Sequence, residues 1–387
     1  MILKKINAWL HLWLGLASGI VVFIVSITGC ILVFEQELKP LTQPWQNAKR
    51  PAEAVYLPPS AIQQKMKTAF PDKTMSSIWY QGHGRTAKVT LDSDSLIFVN
   101  PYTAAITGIV DHEDFFHFIL EGHTGLWVEG KVGHQIVSWA TLIFFVLLIT
   151  GLILWWPKKW NKSNREKSFS IKWKARFKRL NYDLHNVLGF YSLIIALVLT
   201  LTGLIMGFPW VNQGVYWLAS GGGAPAPYQR GVSDTTQVAL KNGLKNVDLA
   251  FKNGLEELGV YNKDAIIVSI PDSPAEAIYV CTDMDKGSWR DIYLDQYTLR
   301  ELPSTALQID QLNFADWLRR TNYALHVGAI GDMPTKIIYF IASLICASLP
   351  ITGFYVWWGR RGFGNRGLGQ RKKPRPASRN RSIRYEV

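Results

Sequence analysis

Cysteine is almost missing from this 387-residue chain, which has three, at positions 30, 281 and 346. They form no CxxC or CxxCH and no zinc-ligand spacing. Cys30 and Cys346 fall inside long apolar runs, so a disulfide framework or a thiolate metal cluster is excluded. The phosphate-binding loop and the G-x-S-x-G nucleophile elbow are missing as well. One stretch, "GFGNRG" at residues 362–367, has the spacing G-x-G-x-x-G. It follows an apolar run rather than a strand and lies among basic residues, so it reads as part of a flexible basic tail. No nucleotide or flavin site is legible.

Charge is what four long segments lack. Residues 9–34, 136–156, 187–210 and 337–358 contain no Asp, Glu, Lys or Arg. Each is near or above the ~20 residues a membrane-spanning helix requires. This predicts an integral membrane protein with four spans. No small-residue cleavage site follows the first run, so it is expected to stay in the mature protein.

The net charge is +13, but it is concentrated. Residues 157–180 hold ten Lys/Arg against Glu166, and residues 359–387 hold ten against Glu386. Lys4 and Lys5 precede the first run, and the remainder is net acidic. Basic segments beside span ends follow the positive-inside pattern, which predicts both termini in the cytoplasm of a multi-pass inner-membrane protein. The charge is therefore ascribed to membrane topology and lipid contact, with no nucleic-acid partner.

Two stretches share a skeleton: "INAWLHLWLGL" (residues 6–16) and "LNYDLHNVLGF" (residues 180–190). In each, Asn stands four residues before His, and Gly four after: Asn7, His11, Gly15 and Asn181, His185, Gly189. Thr-Gly follows each His at +17 and +18, as Thr28-Gly29 and Thr202-Gly203. The even spans match too. "GHTGLWVEGKVGHQIV" leads to "LLITGLILWWPKK", and "LHVGAIGDMPTKII" leads to "SLPITGFYVWWGRR". His123 precedes Thr150 by 27 residues and His326 precedes Thr352 by 26. The chain thus reads as a parallel internal repeat, each half being span, external segment, span. The first external segment has helical spacing near residues 58–70 and strand-like "SSIWYQ", "TAKVTLD" and "SLIFVNP". The second has a helical "TTQVALKNGLKNV" and strand-like "AIIVSIP", "EAIYVCTD" and "RDIYLDQ", entered by the linker "GGGAPAP".

The doubled layout, "FVNPYTAAITGI" closing the first external segment, and the TGxxxWW ends of spans 2 and 4 resemble the PepSY-associated transmembrane helix family. The resemblance covers the chain up to the basic tail. It implies a bacterial, iron-regulated inner-membrane protein, similar in some members to diheme ferrisiderophore reductases. The fold expected is an all-α transmembrane four-helix bundle with two α+β, PepSY-like periplasmic domains. The divisions are 1–38 (helix 1), 39–131 (domain 1), 132–157 (helix 2), 158–180 (basic loop), 181–210 (helix 3), 211–334 (domain 2), 335–358 (helix 4) and 359–387 (basic tail).

A histidine within a span is costly and marks a functional position. For His11 and His185 three readings stand: interfacial or helix-packing contacts, a proton relay, or axial ligation of haem iron. Spans running the same way place both residues at one depth, as a bis-histidine b-type haem requires. Gly15 and Gly189 sit one turn further on the same face and leave room beside each imidazole. Gly29 and Gly203 could thin that face near the other leaflet for a second haem. Its ligands by the repeat are His123 and His326, near Gly122, Gly125 and Gly328, with His134 as rival. The second-half counterpart of His134 is Thr335 or Lys336, where the family commonly has a basic residue. His83, His112 and His117 read as surface residues. Most tryptophans at the span ends, among them Trp9, Trp13, Trp155, Trp156, Trp357 and Trp358, read as interfacial anchors.

The expected function is electron transfer through two haem b groups, from a quinol or cytoplasmic reductase to a periplasmic ferric siderophore or other Fe(III) chelate. That acceptor is supplied by the resemblance. The alternatives are a b-type cytochrome with no siderophore role and a non-redox PepSY-type binding or regulatory protein.

Overall fold

The computed structural model describes residues 2–360 except 52–53, 93–94, 112–113, 228, 241–243, 258–264 and 285–286. His112, the 362–367 motif and the basic tail lie outside the described residues. The helices, in chain order, are α1 (Ile2–Leu32), α2 (Glu35–Thr42), α3 (Pro59–Ala69), α4 (Phe115–Gly125), α5 (Lys131–Trp155) and α6 (Lys162–Phe169). They continue with α7 (Phe177–Asp183), α8 (Gly189–Gly207), α9 (Pro209–Ala219), α10 (Leu244–Glu257), α11 (Phe314–Val327) and α12 (Asp332–Arg360). A single π-helical turn, Leu184–Leu188, joins α7 to α8 without a break.

Four segments are long and apolar enough to cross a membrane: Ile2–Leu32, Lys131–Trp155, Phe177–Gly207 and Ala329–Gly359. They cover the four runs read from the sequence to within three residues at their ends. Most of their apolar side chains face outward, Ile20 and Ile194 being 72% and 73% exposed. That is the surface a lipid environment covers and water would not tolerate. The helices close into a ring: α1 packs on α5 and α12, and α8 completes it against α5 and α12. Small side chains set the close approaches, as where Gly19 meets Pro350 and Ala196 sits among Leu148, Leu193 and Cys346.

At one end of the bundle lies a seven-stranded antiparallel sheet. Its strands are β1 (Met75–Gln81), β2 (Ala87–Leu91), β3 (Ser95–Val99), β4 (Ile106–Asp111), β5 (Ala265–Ser269), β6 (Ile278–Thr282) and β7 (Arg290–Leu294). The order is β4-β3-β2-β1-β5-β6-β7. Six of these match the strand-like stretches of the sequence. β4 had not been expected. The larger difference is that the two external segments form one sheet rather than two. β1 and β5 pair directly, with Ile78 opposite Val268 and Tyr80 opposite Ile266. Each set alone would expose an unpaired edge, and pairing removes two of them. Alternation decides the faces: Ile78, Tyr80, Val89, Val268 and Val280 point into one core with Ile62 and Met66 of α3 and Phe251 of α10. The helical reading of "TTQVALKNGLKNV" becomes a 3-10 turn at Thr235–Leu240 followed by α10 from Leu244.

Two short helices between sheet and bundle were also not expected. The α4 helix starts where the Asp114 side chain accepts from the His117 N–H. The α11 helix starts where Asn313 accepts from the Asp316 N–H. The first packs on α1 and α5, the second on α8 and α9.

Candidate functional site

Four of the eight histidines turn inward and form two facing pairs. At the basic end, near Lys4, Lys5 and the 157–180 segment, His11 and His185 have ring centroids 6.4 Å apart at an interplanar angle of 85°. At the sheet end, His123 of α4 and His326 of α11 lie 6.1 Å apart at 59°.

Each ring is held in the same way. The Nδ1 atom of His11 is 2.9 Å from Thr150 Oγ1, and that of His185 is 2.9 Å from Thr352 Oγ1. The Nδ1 atom of His123 is 3.1 Å from Thr28 Oγ1, and that of His326 is 2.9 Å from Thr202 Oγ1. These are the four threonines of the Thr-Gly dipeptides. A threonine hydroxyl has one proton, and each of these gives it to a backbone carbonyl in the preceding turn: Leu147, Leu349, Val25 and Leu199. With its proton so used, the oxygen can only accept, so the facing Nδ1 carries hydrogen and donates. For His123 the case is direct, because its Nδ1 also lies 2.9 Å from the Val25 carbonyl. In a neutral ring, hydrogen on Nδ1 leaves the Nε2 lone pair free, which is the metal-ligating tautomer. Burial keeps the sheet-end rings neutral: it lowers the His123 pKa, and it brings that of His326 down to about 4, with His123 adding to the shift.

The glycine after each threonine gives the ring its place. A Cβ at Gly151, Gly353 or Gly29 would stand 3.2 Å from the Cε1 of His11, His185 or His123, and one at Gly203 3.5 Å from that of His326. Gly29 and Gly203 were expected to thin a helix face for a macrocycle. They instead seat the imidazole edges, because α4 and α11 press a ring against them from the side. A Cβ at Gly15 would stand 3.9 Å from a Leu147 side-chain atom and one at Gly189 3.5 Å from Leu349, ordinary contact distances that place a leucine rather than an imidazole beside each. Gly122 and Gly125 serve the α4–α5 connection: the Trp127 indole covers Gly122, and Gly133 closes on the Gly125 carbonyl.

Three asparagines complete the lock. Asn7 and Asn181 donate to the Thr150 and Thr352 carbonyls at 3.0 and 2.9 Å. Asn322 donates to the Thr202 carbonyl at 3.2 Å. Each stands one turn before its histidine, on the same face. At the fourth place Ile119 cannot do this. The π turn contains His185, and such turns displace a residue outward from the regular ladder, frequently at functional sites. Asp183, fully buried before it, takes the Arg179 guanidinium and the Lys172 N–H.

The other described histidines, His83, His117 and His134, join neither pair. His134 is exposed on α5. His117 is half-exposed and pairs with Glu121, and His83 is exposed in its turn. At the place matching His134, Lys336 is buried and bound to Glu37 at 2.7 Å. The threonine and asparagine roles were missed in the sequence, although the Thr-Gly dipeptides were visible. Their partners are on other spans: His11 binds the threonine of span 2, not its own Thr28.

Among the described residues no three of His, Cys, Asp and Glu gather as a metal cluster. A pair of imidazoles supplies only two ligands, which suits a metal whose other positions a macrocycle fills. The spacing fits that use. An imidazole nitrogen about 2 Å from a metal on either side sets ring centroids about 6 Å apart.

Fold and site together define a four-span membrane protein with an antiparallel sheet at one end and two inward-facing imidazole pairs in its bundle. The family of the PepSY-associated TM region matches residues 8–360, and the chain belongs to it. No curated protein matches the chain.

Proposed function

We propose that the protein is a b-type diheme electron carrier of the bacterial inner membrane, reducing ferric siderophores or other Fe(III) chelates on the side of the sheet. The observation that carries this reading is the pair of facing imidazole sets, each ring locked with Nε2 free. Haem iron held by two imidazoles supplies one-electron chemistry with no open coordination position. The residues of the chain do the rest. His11 and His185 would hold one group, and His123 and His326 the other. The four threonines fix tautomer and ring angle, the glycines admit the rings, and the apolar bundle excludes water. His11 and Thr28 are separated by about 25 Å along α1, so the two pairs divide most of a hydrocarbon core about 30 Å thick. The sheet would present its two halves as PepSY-like units of a parallel repeat, in support of which stand the matched threonine–histidine contacts. Hard oxygen chelators hold Fe(III) strongly and Fe(II) weakly, so one electron from the protein releases the metal. The donor would be a quinol or a cytoplasmic reductase.

A visible spectrum of the purified protein tests the cofactor: a reduced α-band of b-type haem is expected, and its absence would favour a binding or regulatory protein. Anaerobic addition of ferric chelates to the dithionite-reduced protein tests the acceptor. Reoxidation is expected; a spectrum that stays reduced would leave a b-type cytochrome with another partner.

Two further results are expected. Single-cysteine variants at Lys73 and Lys162 should label from opposite sides, Lys73 from the periplasm and Lys162 from the cytoplasm. A cytoplasmic Lys73 would overturn the two-sided reading. Thr352→Val keeps shape but removes the acceptor of His185 Nδ1–H, and loss of such a partner typically weakens metal binding about 10–100-fold. Haem titration of the stripped variant should show this at the basic-end pair alone. Unchanged affinity would mean that the threonine only packs.

A further inference from the structure

The loop that follows β6 packs against α11. The guanidinium of Arg320 is 10% exposed at its side chain and pairs with Asp283 Oδ2 at 3.1 Å. Its other N–H groups donate to the Ser288 carbonyl from Nε and Nη2 at 3.3 Å and to the Leu307 carbonyl from Nη1 at 2.5 Å. One turn on, Gly287 at φ +64° lies so near α11 that a Cβ there would stand 3.2 Å from Ala324 Cα. Trp289 stacks on Tyr323 at 4.8 Å and 30°. Asp283, Gly287, Ser288 and Trp289 lie between β6 and β7, and Leu307 follows β7.

On a helix, positions 320, 323 and 324 share one face, while 322 and 326 share the opposite one. The opposite face carries Asn322 to the Thr202 carbonyl and His326 to the Thr202 hydroxyl. α11 is thus gripped between sheet and α8, with the imidazole on its bundle side. The α4 helix, which carries His123, is held differently: Gln43 and Lys39 bind the Asp114 carboxylate at its N-cap.

We propose that Arg320 is a positioning residue for His326: through Asp283 and Ser288 the sheet holds α11 in place and so fixes the imidazole at the sheet-end pair. The proposal rests on the haem reading above. A planar fork with several donors is needed to tie one helix to two loops at once, which Lys cannot do. Loosening the grip would release His326 from its place opposite His123, so that a haem bound at this pair alone would become accessible to a small ligand.

The test uses carbon monoxide on the dithionite-reduced, full-length protein. Two bis-imidazole sites should make the wild type inert to it. Arg320→Gln should let about half of the haem bind carbon monoxide, or should lose the sheet-end haem alone, with the other site unchanged in content and band position. Arg320→Lys should fall between the two. Arg319→Gln, which alters the neighbouring exposed pair with Asp316, should behave as wild type. Full haem content and carbon monoxide inertness in Arg320→Gln would overturn the clamp and leave the haem reading intact. A wild type without haem would overturn the haem reading itself and the clamp with it. If Arg320→Gln fails to insert, Asp283→Asn and Gly287→Ala decide: each should open the same single site, and inertness in both would reject the proposal.

Discussion

His185→Ala protein should carry half the haem of the wild type, and His11→Ala protein the same half. The two rings face each other 6.4 Å apart, and neither His134 nor His117 is part of that pair. His123→Ala and His326→Ala should each remove the other half, and His11→Ala combined with His326→Ala should remove all of it. The helices should still insert, since their apolar length is unchanged. Truncation of a partly buried side chain costs at most a few kcal/mol. Pyridine haemochrome assay against protein concentration reads the content directly. Loss of a haem in His134→Ala with none in His123→Ala would show that the sheet-end pair is wrongly assigned.

The second large effect is directional. Protein lacking His123 or His326 should no longer reduce an external ferric chelate, while its His11–His185 site should still be reducible from the basic end. Protein lacking His11 or His185 should fail to oxidise the donor, yet should reduce the chelate when the remaining site is reduced chemically. The reason is distance. The pairs are separated by about 25 Å along α1, too far for either site to serve both faces of the membrane. Proteoliposomes with the chelate outside and reductant inside separate the two phenotypes. Substantial chelate reduction by His326→Ala protein would mean that the acceptor takes its electron at the basic-end pair, and the outward route would be abandoned.

Much of this was legible before folding is considered. A run of some twenty uncharged apolar residues has one stable fate, so the four spans could be read directly. The histidines could be read from their spacing, because residues at i and i+4 share a helix face whatever the helix packs against. Six strands could be read because alternation between core and solvent is a local pattern. β4 was missed because "AITGIV" carries a glycine, Gly108, against which the Trp45 side chain closes. α4 was missed because it is short and apolar beside a span, so its periodicity merges with the neighbouring run, and α11 because its charged residues read as a polar connection.

What needed the tertiary structure was every pairing between distant segments. The sequence aligned His11 with Thr28 on its own span, but a helix cannot fold a side chain back along 17 residues. The bundle instead sets His11 beside Thr150 and brings Thr28 to His123. Which nitrogen is free follows only from that contact, since it is the committed hydroxyl proton that assigns the tautomer. The joining of two external segments through β1 and β5 is of the same kind, as is the reach of Arg320 to Asp283 and Ser288. Local sequence sets which face of an element is apolar or carries a ligand; the partner across the gap is chosen by close packing of the whole chain.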